Sequence, residues 1–138
     1  MSENLNNYLD FLNNQQRKAV ENTEGATLVL AGAGSGKTRV LTHKIGYLIN
    51  EIGIPPQNIL AVTFTNKAAS EMKSRVQSIV SSDASKVNVG TFHSICAGIL
   101  RRQIHKIGYT NDFTIYDQND SKSLLKEVVK NLNFDLKT

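Results

Sequence analysis

The most informative segment of this chain reads Ala31-Gly32-Ala33-Gly34-Ser35-Gly36-Lys37-Thr38. It follows an apolar run rich in β-forming residues, ATLVLA at residues 26–31, and it precedes apolar residues that recur at helical spacing. Phosphate-binding loops have the pattern G-x-x-x-x-G-K followed by Ser or Thr, between a strand and a helix. Alanine stands at the first position here, and the remaining fixed positions match. The segment predicts a phosphate-binding loop between a buried strand and a helix.

The residue types of this loop each have a chemical reason. Glycines let the backbone curl so that several N–H groups converge on an anion, and the following helix adds the positive end of its dipole. Lys37 would place a cation against the β- and γ-phosphates, and Thr38 would offer a hydroxyl to the bridging Mg²⁺. We therefore expect a bound nucleotide with Mg²⁺, and Lys37 and Thr38 as catalytic residues. The alternative is an ordinary glycine-rich turn, which the strand-to-helix context disfavours.

Strand-like and helix-like segments alternate along the rest of the chain. ILAVT at residues 59–63 predicts a second buried strand, residues 87–89 a shorter third one, and residues 113–116 a further one. Helical periodicity follows at residues 37–52, 68–79 and 92–106, and Asp117 with Asp120 predicts a capping box that starts a last helix. This alternation predicts βαβ units, an α/β fold with a parallel sheet, and right-handed crossovers.

Composition narrows the class of protein. The 138 residues are 40% hydrophobic and 20% charged, which allows a packed core of about one domain. The net charge of +4 fits a polyanionic partner without proving one. One cysteine, Cys96, excludes an internal disulfide. The start of the chain has no secretory signal, and no apolar stretch approaches membrane-spanning length, so we expect a cytoplasmic protein without membrane contact.

Three further strings accompany the loop: LNNQQRKAV at residues 12–20, TFTNKAA at residues 63–69 and GTFHS at residues 90–94. Together with AGAGSGKTR they resemble superfamily 1 DNA helicases of the UvrD/PcrA/Rep type, over residues 12–132. The resemblance implies a RecA-like P-loop NTPase fold, of which this chain holds the N-terminal part. Residues 1–91 would form the first part of the ATP-binding motor domain, and residues 92–138 its continuation and the start of an inserted helical subdomain.

The resemblance also assigns a nucleotide site. Gln16 would recognise adenine, since an amide presents a donor beside an acceptor, and Arg39 would pack its planar guanidinium on the base. The implied nucleotide-binding set is Gln16, Ala31, Gly32, Ala33, Gly34, Ser35, Gly36, Lys37, Thr38 and Arg39. Two alternatives stay open: Gln16 as an ordinary polar residue at a helix start, and Arg39 as a solvated helix residue.

The other two strings imply a DNA site. TFTNKAA lies at the carboxyl end of a predicted strand, where parallel sheets place ligands. Phe64 would stack on a base, and short polar side chains would bond phosphates. The implied DNA-binding set is Thr63, Phe64, Thr65, Asn66, Thr91, His93 and Ser94. The expected partners are single-stranded DNA, single-strand/duplex junctions and the rest of the same helicase chain. The alternative is that Phe64 is a core residue and Asn66 only caps a helix.

One departure from the family pattern limits the expected activity. The sequence has no apolar strand ending in Asp-Glu, so the second Mg²⁺ ligand and the residue that activates water are missing. We interpret the chain as an N-terminal segment. The full-length protein would be an ATP-hydrolysing helicase that moves 3′ to 5′ and acts in repair or replication. The segment alone would bind ATP weakly and not hydrolyse it.

Three other functions remain open at this stage. A helicase–nuclease subunit of the RecB type is a near relative; AGAGSGKT and TFTNKAA look closer to UvrD/PcrA/Rep, but a nuclease domain would lie beyond this chain. A P-loop NTPase that does not use DNA would leave TFTNKAA and TFHS unexplained. A non-catalytic binding module built on a decayed motor domain fits the missing acidic pair, but the intact GSGKT argues against decay.

Overall fold

The computed structural model of the protein describes residues 8–132, apart from the side chains of residues 81–83. Its helices and strands are α1 (Asn14–Glu21), α2 (Lys37–Asn50), β1 (Leu60–Thr63), α3 (Asn66–Val80), β2 (Asn88–Thr91), α4 (Phe92–Gln103) and α5 (Gln118–Asn131). Short 3-10 helices lie at Leu9–Phe11, Pro56–Asn58, Ser81–Lys86 and Ile104–Ile107. The chain divides into two compact units between Cys96 and Ala97.

The two strands form a parallel pair that α3 connects as a βαβ crossover. Leu60 lies opposite Asn88 and Thr63 lies opposite Thr91, so the strands are in register along their whole length. The strands predicted at residues 59–63 and 87–89 are confirmed within two residues. Because the strands are parallel and in register, their carboxyl ends meet at one edge, which we call the carboxyl edge.

The main core of the first unit lies between α3, α2 and this sheet. Met72, Val76 and Val80 recur on one face of α3 and pack in one buried cluster with Ile45 of α2 and Val89 of β2. Full burial of each such side chain is worth about 1.5–3 kcal/mol. The predicted periodicity of α3 is therefore confirmed.

A second apolar cluster fixes the first helix against α2. It consists of Leu9, Leu12, Val20 and Val40. The cluster is reinforced by Lys44, whose ammonium donates to the carbonyls of Ala19, Val20 and Asn22 at the end of α1. This packing holds the start of α1, with Gln16, beside the start of α2.

The expected buried strand at residues 26–31 is not present. The segment has no strand structure, and Leu28 and Leu30 are 82% and 86% exposed. β-propensity is realised only where a neighbouring strand accepts the hydrogen bonds and a face can be buried. In the described part of the chain β1 and β2 pair only with each other. The expected strand at residues 113–116 is absent in the same way, and Ile115 is exposed.

The second unit contains α5, whose predicted capping box is confirmed. The Asp117 carboxylate accepts from the amide of Asp120 at 2.8 Å, and the Asp120 carboxylate accepts from the amide of Asp117 at 3.1 Å. The helix predicted to run to residue 106 ends at Gln103, and a 3-10 turn follows it to Gly108, whose φ is +86°. Across residues 8–132, no helix has both the length and the hydrophobicity that a bilayer crossing requires.

Candidate nucleotide and nucleic-acid sites

The phosphate loop, residues 31–38, makes a tight turn directly into α2. Gly34 and Gly36 have φ values of +75° and +87°, in the left-handed region that favours glycine. The Ser35 hydroxyl donates to the Gly32 carbonyl at 2.6 Å and closes the turn. The predicted loop-to-helix junction is therefore confirmed, whereas the strand expected before it is not formed.

The start of α2 presents backbone donors. The amide of Val40 donates to the Gly36 carbonyl at 3.0 Å, which is the first hydrogen bond of the helix. The amides of Lys37, Thr38 and Arg39 precede it, and N–H groups of a first turn have no partner within their helix. Together with the positive end of the helix dipole, they make this end of α2 suited to an anion.

The Lys37 side chain folds back over the loop. Its ammonium donates to the carbonyls of Ala31 at 3.0 Å and Gly32 at 2.6 Å. A bound phosphate would replace these neutral acceptors with charged oxygens, and charge-assisted hydrogen bonds are about twice as strong as neutral ones. The position of Lys37 is compatible with the role predicted for it.

Gln16 joins α1 to the phosphate loop. Its carbonyl oxygen accepts from the amide of Asn13 at 3.1 Å in a capping box, and its Nε2 donates to the Ser35 carbonyl at 3.0 Å. A side-chain amide has two N–H donors and two acceptor lone pairs, so one of each remains for a base edge. Gln16 therefore connects α1 to the phosphate loop by a hydrogen bond, and its predicted contact with adenine stays a prediction.

These elements enclose a cleft of about 400 Å³. Its lining residues are Gln16, Gly34, Ser35, Gly36, Lys37, Thr38, Arg39 and Arg75. Lys37, Arg39 and Arg75 are cations, and no carboxylate is among the described residues that line it. A cation-lined cleft of this size at a helix N-terminus fits a nucleotide and its bridging Mg²⁺, with the exposed Thr38 hydroxyl available as a ligand.

Arg75 is a cleft residue that the sequence did not predict. Helical periodicity assigns it to the solvent face of α3, and the side chain is indeed 47% exposed. Its place in the cleft follows from the packing of α3 beside α2, which helical periodicity alone does not reveal.

Arg39 and Arg75 also line a second cavity of about 410 Å³. Tyr8, Phe11 and His43 contribute to that cavity. Burial lowers the pKa of His43, whose Nδ1 lies 2.8 Å from the Arg39 carbonyl. Burial raises the pKa of Tyr8 to about 12. The predicted contact of Arg39 with adenine stays a prediction.

The first DNA-binding string lies at the carboxyl edge. Phe64 is 89% exposed, so in this chain it is not a core residue. The Thr65 hydroxyl accepts from the amide of Ala68 at 3.1 Å, so Thr65 caps α3 and Asn66 is its exposed first residue. Thr63 is buried, and its hydroxyl donates to the Thr65 carbonyl at 3.1 Å.

The second string lies beside the first because Thr63 and Thr91 are opposite each other. The Thr91 hydroxyl accepts from the amide of Ser94 at 3.2 Å, and the Ser94 hydroxyl donates to the Thr91 carbonyl at 3.0 Å. Thr91 and Ser94 thus form the start of α4, while His93 is exposed. A Cβ on Gly90 of β2 would lie 2.7 Å from the Ser94 hydroxyl and 3.1 Å from Cγ1 of Ile95, so β2 lies close to the start of α4.

The predicted residues therefore fall into two groups that α3 connects. Seven of the ten residues predicted to bind nucleotide line the cleft, whereas Ala31, Gly32 and Ala33 are not among its lining residues. The residues predicted to bind DNA lie at the carboxyl edge. α3 begins at that edge with Asn66 and carries Arg75 into the cleft nine residues later. At the rise of an α-helix, nine residues span about 13 Å.

Comparison with known proteins identifies the family of this chain. Residues 12–138 match the family model of the UvrD/REP helicase N-terminal domain. The "ATP-dependent DNA helicase PcrA" of Staphylococcus aureus (strain Mu50) is 53% identical over 96% of this chain. The protein of the same name from Staphylococcus epidermidis (strain RP62A) is 52% identical over the same share. The chain spans 18% of the length of these relatives. Given the matched range and these identities, the chain belongs to the UvrD/REP helicase N-terminal domain family.

Proposed function

We propose that this chain is the nucleotide-binding segment of an ATP-dependent DNA helicase. The observation that carries the proposal is the cleft at the start of α2. Lys37, Arg39 and Arg75 line it together with a loop that contains two left-handed glycines. The names of the relatives, ATP-dependent DNA helicases, support the same activity. The fold would be the first part of a RecA-like domain over residues 1–91, with an inserted helical subdomain beginning within residues 92–138.

The nucleotide would be ATP with Mg²⁺. The phosphates would lie on the amides at the start of α2, the Lys37 ammonium would bond the β- and γ-phosphates, and the Thr38 hydroxyl would hold the ion. Mg²⁺ supplies neutralisation of the phosphate charge when bound. Gln16 would read the adenine edge with its remaining donor and acceptor, and Arg39 would pack on the base.

The nucleic acid would be single-stranded DNA, or its junction with duplex, at the carboxyl edge. The exposed ring of Phe64 provides a stacking surface, and Asn66 and His93 provide exposed polar groups beside it. The full-length protein would move 3′ to 5′ along single-stranded DNA. It would act in repair or replication, in the cytoplasm. These activities would need the remainder of a helicase chain, which supplies the acidic pair that this segment lacks.

Lys37→Ala in the full-length protein tests the nucleotide site. Loss of hydrogen bonds to a charged group costs about 1.5–3 kcal/mol, so the dissociation constant of a fluorescent ATP analogue should rise about 10- to 150-fold. ATP hydrolysis should be lost, while the affinity for a single-stranded oligonucleotide should be unchanged. The matched control is Lys73→Ala, which removes an exposed lysine of α3 outside the cleft.

Two results would contradict the proposal. Hydrolysis at the original rate in Lys37→Ala would exclude the assigned role of the phosphate loop. Hydrolysis that single-stranded DNA does not stimulate would favour a P-loop enzyme that does not use DNA.

A further inference from the structure

Arg75 lies at the nucleotide cleft although it belongs neither to the phosphate loop nor to α2. Its side chain lines the nucleotide cleft, the adjoining cavity beside Arg39 and His43, and a third cavity formed by α3 itself. It is the cation that α3 contributes to the cleft, whereas Lys37 and Arg39 both come from α2. A third element therefore reaches the nucleotide site, and it is the helix that begins at the carboxyl edge.

Arg75 already has an anionic partner. Its guanidinium bonds the carboxylate of Glu71, one turn earlier on α3, and the two side chains are 47% and 52% exposed. Ion pairs at this spacing on an exposed helix surface favour the paired state by only about twofold. Such a weak pair can be exchanged for a stronger partner. A phosphate group is one, since it offers several charged oxygens to the fork of a guanidinium.

We propose that Arg75 is a nucleotide-contacting residue that exchanges Glu71 for a phosphate group of the bound nucleotide. Glu71 is then a positioning residue, which holds the guanidinium at the cleft and competes with the phosphate for it. This inference rests on the proposed function and extends it to a residue outside the matched nucleotide motifs. The exchange takes place on α3, and the residues predicted to bind DNA lead directly into the start of this helix at Asn66.

The exchange also gives the two sites a physical connection. The side chain that leaves Glu71 lies two and a half helical turns from the first residue of α3, a separation of about 13 Å. A nucleotide that binds Arg75 contacts α3 near its C-terminal half, and Thr65 caps the N-terminal end of the same helix at the carboxyl edge. Nucleotide occupancy would thereby be communicated to the residues around Phe64.

The chain contains a matched control for this pair. Arg17 and Glu21 form a similar ion pair on α1, four residues apart, with side chains 46% and 42% exposed. Neither residue lines the nucleotide cleft. If an exposed pair only stabilises its helix, removing either pair should have the same small effect on stability and none on nucleotide affinity.

The experiment measures dissociation constants of fluorescent ATP, ADP and adenosine analogues, with Mg²⁺, in the full-length protein. Arg75→Gln should weaken ATP and ADP binding about 10- to 100-fold and leave adenosine binding unchanged. Arg75→Lys should give an intermediate loss, because an ammonium keeps the charge but lacks the fork. Glu71→Gln should tighten ATP binding about twofold, because it removes the competing anion. Arg17→Gln and Glu21→Gln should leave all three constants unchanged.

The outcomes separate this inference from the proposed function. If Lys37→Ala weakens ATP binding and Arg75→Gln does not, the inference is overturned and the proposed function stands. If neither variant weakens ATP binding, the proposed function fails. An ATP affinity that Glu71→Gln lowers or leaves unchanged would overturn the competing role of Glu71. Thermal melting of each variant shows that it is folded before its constants are compared.

Discussion

At the scale of single residues, two separate features favour glycine at position 36. Its φ of +87° is strained for a residue with a side chain, and a Cβ there would lie 2.7 Å from Nε2 of Gln16. Gly34, two residues earlier, has a φ of +75°, but a Cβ added to it would meet no atom within 4 Å. The two glycines therefore share a backbone requirement and differ in one contact, which allows the contact to be measured.

Gly36→Ala should destabilise the protein more than Gly34→Ala. Each substitution places alanine in the left-handed region, at about 1–2 kcal/mol. Only the Gly36 variant also pushes Gln16 away from the Ser35 carbonyl, which should add about 0.5–1.5 kcal/mol. Urea denaturation of the two variants measures the difference in the free energy of unfolding.

A double-mutant cycle supplies the control for this prediction. In a Gln16→Ala background the two glycine substitutions should cost nearly the same, because the contact that distinguishes them is gone. If the difference between them persists in that background, the Gln16 bridge is not its cause.

At the scale of elements, the contact between α2 and α3 positions Arg75 at the cleft. Gly46 of α2 is buried against Ile79 of α3, and a Cβ there would lie 2.5 Å from Cγ2 of Ile79. Cγ2 is bonded directly to the branched Cβ of Ile79, so it can move aside only if the whole side chain changes its χ1 rotamer. The close approach of the two helices at this point therefore requires glycine.

Gly46→Ala should reduce the free energy of unfolding by about 1–3 kcal/mol, because overpacking outweighs the helix propensity that alanine gains. Gly98→Ala is the matched control, since Gly98 lies in α4 and a Cβ added to it would meet nothing within 4 Å. That control should be stabilised by up to about 1 kcal/mol. Thermal and urea unfolding measure both. Stabilisation by Gly46→Ala would mean that α2 and α3 do not pack this closely.

The same scale shows which parts of the fold the sequence could predict. The α3 periodicity and the Asp117 capping box depend on residues within a few positions of each other, and both predictions were confirmed. The strand expected at residues 26–31 depends on pairing with another strand, and the prediction was wrong for this chain. Arg75 was missed because periodicity identifies the polar face of a helix but not the element that this face meets.

At the scale of the whole molecule, the first unit contains both of the proposed binding surfaces. The nucleotide cleft lies at the start of α2, and the carboxyl edge lies at the ends of β1 and β2, with α3 common to both. The parallel register brings Thr63 and Thr91 together, which the sequence predicted only through the family resemblance. If both proposed sites bind their ligands, α3 is the element through which binding at one surface would affect the other.

Phe64→Ala in the full-length protein tests this arrangement. The ring is 89% exposed, so its removal should change the free energy of unfolding by no more than about 0.5 kcal/mol. Stacking on a base is worth about 1–3 kcal/mol, so the affinity for a single-stranded oligonucleotide should fall about 5- to 150-fold. The concentration of DNA that half-maximally stimulates ATP hydrolysis should rise by the same factor. Tyr109→Ala removes a comparably exposed ring, 66%, that belongs to neither of the two predicted DNA-binding strings, and it should change neither quantity. ATP affinity without DNA should stay constant in both variants, because neither ring lines the nucleotide cleft.

Unchanged oligonucleotide affinity in Phe64→Ala would remove the stacking role. A matching loss in Tyr109→Ala would show that the effect does not belong to the carboxyl edge.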